Sequence, residues 1–434
     1  MESGYSATAI HPNRQDKDFF VSNVVPPRGM RDMLPAQAQR RHAVIDAITQ
    51  AYRRYGYQQI ETPAVESLRY LLSGEGGDNE KLMYRVMKRG LDAEALGAAE
   101  TPDDLADLGL RYDLTVPLAR FFAAHRAHLP TPFRSIQIGP VWRAERPQRG
   151  RYRQLTQCDI DIFGEPGVIA EVELIKATVS ALDSIGIREG MIRVNDRRIL
   201  TAMMTSCGFD TDDVPAALIQ VDKVDKIGID GVGEQIASRW SDIHAGKIVD
   251  LLNSLAEPAT RMDVLAECVT TETGAAGVET LKQLLHLLDS VGGAAPLTIE
   301  LDPTLVRGMG YYTGPVFEIA HPQVPGSLGG GGRYDGMIER ISGASTPACG
   351  FSIGFERVMD LLESREVATG SLTALLHDAA DATHALVEAE RMRADGIDVV
   401  MFVRARNRRA QLERLAEQGV TEVIDLRHDA PTHG

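Results

Sequence analysis

Between positions 307 and 335 the chain carries Arg307, the adjacent Tyr311 and Tyr312, the run Gly329-Gly330-Gly331-Gly332, and then Arg333-Tyr334-Asp335. Arginine stays charged and presents five donors in a fixed fork. Tyrosine offers a flat apolar face with a polar tip, and glycine lets a backbone come close to another group. Together they suggest a pocket for a small, flat, polar molecule beside an anion. A β-hairpin with surface tyrosines and a glycine-rich turn would use the same letters.

Four further groups could do chemistry. Arg143 and Glu145 end an alternating stretch that starts at Phe133. Residues two apart on a strand share a face, so the pair can grip a phosphate oxygen and accept from an amino group such as that of adenine. A surface ion pair of little worth is the competing account. Asp113 and Thr115 follow the same rule and suit a substrate ammonium; a helix N-cap ahead of Val116-Pro117 competes. Gln157, Asp159 and Asp161 share a face of a second alternating stretch over 154–163, antiparallel to the first. Arg357 opens a helix just after Gly350-Phe351-Ser352-Ile353-Gly354, and pairing with Glu356 is its plain alternative. No grouping resembles a nucleophilic triad, and no GxxxxGK[ST] loop is present. Any nucleotide chemistry would therefore use arginines and Mg²⁺.

These residues need elements to hold them. The three-four spacing of Val44, Ile48, Ala51, Tyr52 and Tyr55 predicts a helix over 35–55 that Gly56 stops. Strands are expected over 58–62, 82–87, 133–143 and 154–163, with a helix over 169–182. The acidic, alanine-rich stretch 88–108 reads as a surface insertion, and 110–120 as a strand-to-helix junction. An arginine-rich loop, 146–153, joins the two long strands. Helical texture runs from 194 to about 295. Strands return at 297–301 and 316–319, and 350–362 turns from strand into helix. After a linker near 366–370, strand and helix alternate to residue 426 as a small α/β unit.

The 434 residues imply two or three domains, and 44% hydrophobic with 25% charged residues is ordinary for a globular protein. A net charge of −15 gives no general attraction for nucleic acid, although a local arginine patch can still bind it. The four cysteines are scattered without CxxC spacing, which points to a reduced, cytoplasmic setting. No apolar run is long enough for a membrane span. Residues 1–23 lack a signal-peptide core and read as a mobile tail.

In this order the pieces resemble class II aminoacyl-tRNA synthetases, and the 307–336 stretch narrows the resemblance to the histidyl-tRNA synthetase family. Pro63 after its amphipathic helix resembles motif 1, Trp142-Arg143-Ala144-Glu145 motif 2, and Arg357 the motif 3 arginine. Arg307 to Tyr312 and Gly332-Arg333-Tyr334-Asp335 resemble the two histidine signatures. The resemblance implies an α+β fold, an antiparallel sheet flanked by helices. The implied division is a catalytic domain in two parts (24–194 and 296–366), a helical insertion (195–295) and a shortened anticodon-binding-like domain (371–434). It implies histidine activation with ATP and Mg²⁺, transfer to histidine tRNA, and a homodimer through motif 1. Asp113, Thr115 and Gln157 would hold the α-amino group. Asp161 and Tyr312 would face the imidazole, with Tyr311 and Tyr334 lining the pocket. Arg143 and Arg307 would grip the α-phosphate, Arg151 and Arg357 would bind ATP, and Glu145 would read adenine. Gln148 and Arg153 would meet the tRNA acceptor end. Two departures stand out: Gly310 where the family has aspartate, and a tail that stops soon after Leu426. They leave two alternatives: a paralogue that delivers histidine to a non-tRNA acceptor, and a non-catalytic histidine-binding regulator.

Overall fold

The computed structural model describes residues 24–72, 78–147, 150–291, 297–308, 310–362 and 372–426. The expected tail, the linker and Gln148 lie outside the described residues.

An eight-stranded sheet organises the molecule. In spatial order its strands are Gln58–Gln59, Phe133–Trp142, Gln154–Phe163, Ala348–Gly354, Val324–Arg333, Pro315–His321, Met191–Asp196 and Thr298–Leu301. Neighbours are antiparallel except for the outermost pair at each edge. Strand alternation sorts the two faces. Ile136, Cys158, Ile160, Phe317, Ile319, Phe351 and Ile353 point to one side, where they join the main core. Helices Pro35–Arg53 and Ile169–Ser184 cover that side with Val44, Ile48, Leu174 and Ile175. The opposite face carries Gln137, Gln157, Asp159, Asp161, Ser352 and Glu318, flanked by a second apolar cluster of Phe133, Phe163, Tyr312 and Tyr334.

Glu356 clamps the first helix to the sheet. It accepts from Arg31 at 2.5 Å and from Arg41 at 2.8 and 2.7 Å, and it caps the Thr156 backbone N–H at 3.2 Å. Arg333 is similarly internal: its guanidinium donates to Glu171 at 2.6 and 2.8 Å. Six helices lie between Arg197 and Ser290 among the described residues, and the longest, Glu272–Ser290, packs Val278 and Leu281 into the main core. The C-terminal unit is a three-stranded parallel sheet, with Leu372–His377 between Asp398–Val403 and Val420–Asp425, plus helices Ala382–Ala394 and Arg408–Glu417.

Several expectations need correcting. The glycine run 329–332 is no turn; it lies inside the strand Val324–Arg333, in the middle of the sheet. The stretch 88–108 is a short helix, Ala93–Ala98, and a 3₁₀ turn that feed the strand Ala106–Leu110 of a small antiparallel sheet. That strand ends at Leu110, so Asp113 and Thr115 do not share a strand face; Thr115 is the first residue of helix Thr115–His125. Arg143 and Glu145 likewise follow their strand, which ends at Trp142.

Candidate active site

The polar face of the sheet floors a cleft of about 510 Å³. Sheet register sets its rows. Gln137 pairs with Asp159, Asp159 with Ser352, Ser352 with Gly330, and Gly330 with Glu318. One step along, Ser135, Asp161, Gly350 and Gly332 align in the same way. Two glycines in these rows make room for side chains lying across them. A Cβ on Gly330 would sit 2.4 Å from Arg307 Nη1, and one on Gly350 would sit 1.9 Å from Asp161 Oδ1. Gly330, within the glycine run, thus brings backbone close to the arginine that sequence reasoning had singled out, and Gly350 on the neighbouring strand does the same for the carboxylate.

Asp113, Thr115, Gln157, Asp161, Tyr311, Tyr312, Tyr334, Arg143, Glu145, Arg151, Arg307 and Arg357 all line this one cleft. Arg153 is not among its walls: its Nε donates to the Glu145 carbonyl at 3.1 Å. Gln148 lies outside the described residues.

One end of the cleft is acidic. Asp113, Asp159 and Asp161 are each at most 3% exposed. Burial pushes the Asp161 carboxyl up to about 7, against the Tyr334 hydroxyl that donates to it at 2.6 Å. Burial pushes Asp113 up to about 6, opposed by the Val116 backbone N–H that it caps at 3.1 Å. The capping account of this segment is therefore correct for Asp113 Oδ1, while its Oδ2 stays buried without a hydrogen-bond partner among the described residues. Burial, reinforced by Asp161, raises Asp159 well above the carboxylate range. Three aromatic rings close this end, with Tyr311 centred 4.7 Å from Tyr312 and 5.9 Å from Tyr334.

The other end is basic. Arg143 is oriented by its Nε donating to the Tyr112 carbonyl at 2.9 Å. Arg307 donates to Glu318 at 2.8 Å, and its Nε is buried without a partner among the described residues. Arg357 donates to the Ser327 carbonyl. It does not pair with Glu356, which Arg31 and Arg41 occupy. Arg151 stands 3.9 Å from Glu145 at the mouth.

Sequence reasoning missed Glu318, Asp222 and Ser352, and it left Asp159 without a role. Glu318 had a signal, a lone carboxylate in the apolar strand Pro315–His321. Asp222 follows helix Val214–Val221, and nothing in its neighbourhood marks it as facing a cleft.

An antiparallel sheet whose one face carries an acidic, tyrosine-walled pocket beside three arginines is the arrangement of a class II aminoacyl-tRNA synthetase. The family model for histidyl-tRNA synthetase matches residues 29–358. The histidine–tRNA ligase of Leifsonia xyli is 48% identical over 423 residues, covering 95% of this chain and 97% of that protein. A probable histidine–tRNA ligase of Tropheryma whipplei is 39% identical over the same shares of the two chains. The chain belongs to the histidyl-tRNA synthetase family. In fold it is similar to histidyl-tRNA synthetase from Nostoc, with TM-score 0.76, 24% identity, and 93% and 92% of the two chains covered. It is equally similar in fold to an ATP phosphoribosyltransferase regulatory subunit/histidyl-tRNA synthetase from Bacillus halodurans, with TM-score 0.75, 23% identity, and 94% and 99% covered.

Proposed function

We propose that this chain joins L-histidine to ATP as histidyl-adenylate and then transfers the histidyl group to histidine tRNA. The observation that carries this is the meeting, in one cleft, of a buried acidic pocket with Arg143, Arg307 and Arg357. The histidine carboxylate attacks the α-phosphorus of ATP and pyrophosphate leaves. A terminal hydroxyl of the tRNA then attacks the acyl carbon, and AMP leaves. A carboxylate is already a nucleophile, so the first step needs no general base. The enzyme's contribution is alignment and positive charge around the reacting phosphorus.

In this reading Asp113, Thr115 and Gln157 hold the α-ammonium. Asp161, kept in place by Tyr334, faces the imidazole with Tyr312, and Tyr311 packs alongside. Unpaired partners at both ring nitrogens would penalise a side chain that is not imidazole. Arg143 and Arg307 hold the α-phosphate, Arg151 and Arg357 the rest of ATP, and Glu145 the adenine amino group. Gln148 and Arg153, on the loop between the two long strands, would meet the acceptor end of the tRNA. Among the described residues no group of three metal-ligating side chains is present. Mg²⁺ would then be held mainly by phosphate oxygens and water, its usual habit, and would neutralise the leaving pyrophosphate.

The regulator alternative leaves the three arginines at the cleft without a task. Nothing observed favours a non-tRNA acceptor. No described helix is long and apolar enough to cross a membrane. The reading includes a cytoplasmic homodimer through the Pro35–Arg53 side, the helical segment 195–295 as an insertion, and 371–434 as the tRNA-facing tail domain. Histidine-dependent ATP–pyrophosphate exchange tests the first step, and its absence in pure protein would refute activation. Charging of histidine tRNA tests the second; exchange without charging would favour another acceptor.

A further inference from the structure

An ammonium group offers three N–H donors and needs three acceptors when it is taken out of water. The acidic end of the cleft has three buried oxygens without partners among the described residues: Asp113 Oδ2, Gln157 Oε1 and Asp159 Oδ1. Two of them are oriented by a bond made through the other end of the side chain. Asp113 Oδ1 caps Val116 at 3.1 Å. Gln157 Nε2 donates to Ser352 Oγ at 3.0 Å, leaving its oxygen as the free end. Asp159 is drawn to the same serine, which sits opposite it in the sheet register.

We infer that Asp159 is a substrate-binding residue, the third acceptor for the α-ammonium of the amino acid, alongside Asp113 and Gln157. This goes beyond the proposed function by adding a specificity residue, and it rests on that reading of the pocket. The electrostatics agree. Asp159 is 3% exposed, and a purely structural residue there would be better as a neutral amide. Arg111 lies on the same face of the sheet, but its donors go to Thr62 and to the Pro140 carbonyl. Arg143 offsets the cost of this carboxylate only slightly, and a bound ammonium adds a positive charge beside it.

The test compares two ligands by calorimetry, histidine and imidazolepropionate, which lacks the amino group. Asp159→Asn should weaken histidine about 10- to 100-fold, the size of a hydrogen bond to a charged group, while leaving imidazolepropionate unchanged. The same variant should melt no lower than wild type, because burial penalises the ionised form of Asp159 and an amide has no such form. A residue that merely braces Ser352 and Gln157 would instead lower the melting point as histidine affinity falls; that result, or equal weakening of both ligands, would overturn the inference. So would unchanged histidine affinity. If Asp159→Asn does not fold, Asp159→Glu, which keeps the charge and displaces the oxygen, should show the same selective loss. Wild-type protein that binds no histidine would overturn the underlying reading and this inference with it. Wild type and variant binding histidine equally would overturn the inference alone.

Discussion

Gly330→Ala isolates Arg307, the arginine that the proposed function sets at the reacting phosphate. A methyl group there would lie 2.4 Å from Arg307 Nη1, 2.5 Å from Cζ and 2.7 Å from the Phe317 carbonyl oxygen. Carbon needs about 3.5 Å from such neighbours, so the guanidinium must retreat by about 1 Å. The carbonyl belongs to the adjacent strand and cannot follow. The 2.8 Å bond from Arg307 to Glu318 either breaks or drags Glu318 with it. A displacement of that size at a positioning group costs about 100-fold in rate. Overpacking adds about 1–3 kcal/mol of destabilisation. Exchange turnover should therefore drop about 100-fold, while histidine affinity holds because Asp113, Gln157 and Asp161 do not touch Gly330. Arg307→Ala sets the floor, with exchange abolished and the protein still folded. Gly308→Ala is the control: Gly308 lines the same cleft, and a methyl group there meets no atom within 4 Å. Exchange by Gly330→Ala at the wild-type rate would refute the placement of Arg307. Equal damage from Gly308→Ala would show that any added methyl group harms this cleft.

Three more expectations follow from individual contacts. The Asp161 carboxyl sits at about 7 in the folded protein and near 4 when unfolded, so the folded state holds the extra proton between those values and loses stability as pH rises through them. Asp161→Asn should gain on wild type between pH 4.5 and 7.5, by an amount on the order of a few kcal/mol in urea unfolding; a pH-independent difference would remove the shift. Glu356→Ala strips the Arg31 and Arg41 clamp and should cost about 3 kcal/mol in the same assay, since Arg41 is left largely buried with Thr156 but no carboxylate as its partner. Arg357→Ala should raise the KM for ATP at least tenfold in exchange, the size of one charge-assisted hydrogen bond, and leave the KM for histidine unchanged; the reverse pattern would move Arg357 to the amino-acid end.

The sequence revealed the site more fully than it revealed the geometry that holds the site. Gln157, Asp159 and Asp161 were readable because their strand is long and regular, so period-two alternation placed them together before any fold was known. Asp113 and Thr115 reached the same cleft by another route. Their polar spacing looked like a strand, but the chain turns into a helix there, and Asp113 serves both as its cap and as a cleft wall. The strand Val324–Arg333 was hidden because glycine has low strand propensity and four in a row suggest a turn. What favours glycine in this strand is tertiary: Gly330 lies beneath Arg307 and Gly332 beneath Tyr312, where a Cβ would collide. Asp222 could not be foreseen, because it reaches the cleft from a helix corner more than eighty residues before Arg307 in the chain.

The cleft also separates charge along its length. At the amino-acid end, three carboxylates share one dry compartment and raise one another's cost. At the phosphate end, Arg143, Arg307 and Arg357 converge, with Glu318 tied to Arg307. Neither end is stable for its own sake: like charges gathered in low dielectric work against folding. Under the proposed function, a zwitterionic amino acid would answer both ends at once. Its ammonium enters the acidic compartment, and its carboxylate points toward the arginines, where the α-phosphate must lie. The attacking oxygen and the phosphorus are thus brought together by the same field that selects the substrate's orientation. A reversed amino acid would put its carboxylate among Asp113, Asp159 and Asp161 and its ammonium among the arginines, and it would be repelled at both ends. The opposition of charge accounts for orientation, and the aromatic wall with Asp161 accounts for the side chain. This division fits the placement of the groups: Asp159 and Asp161 stand on a strand of the sheet, while Arg143, Arg307 and Arg357 reach the same cleft from the segments and the helix around it.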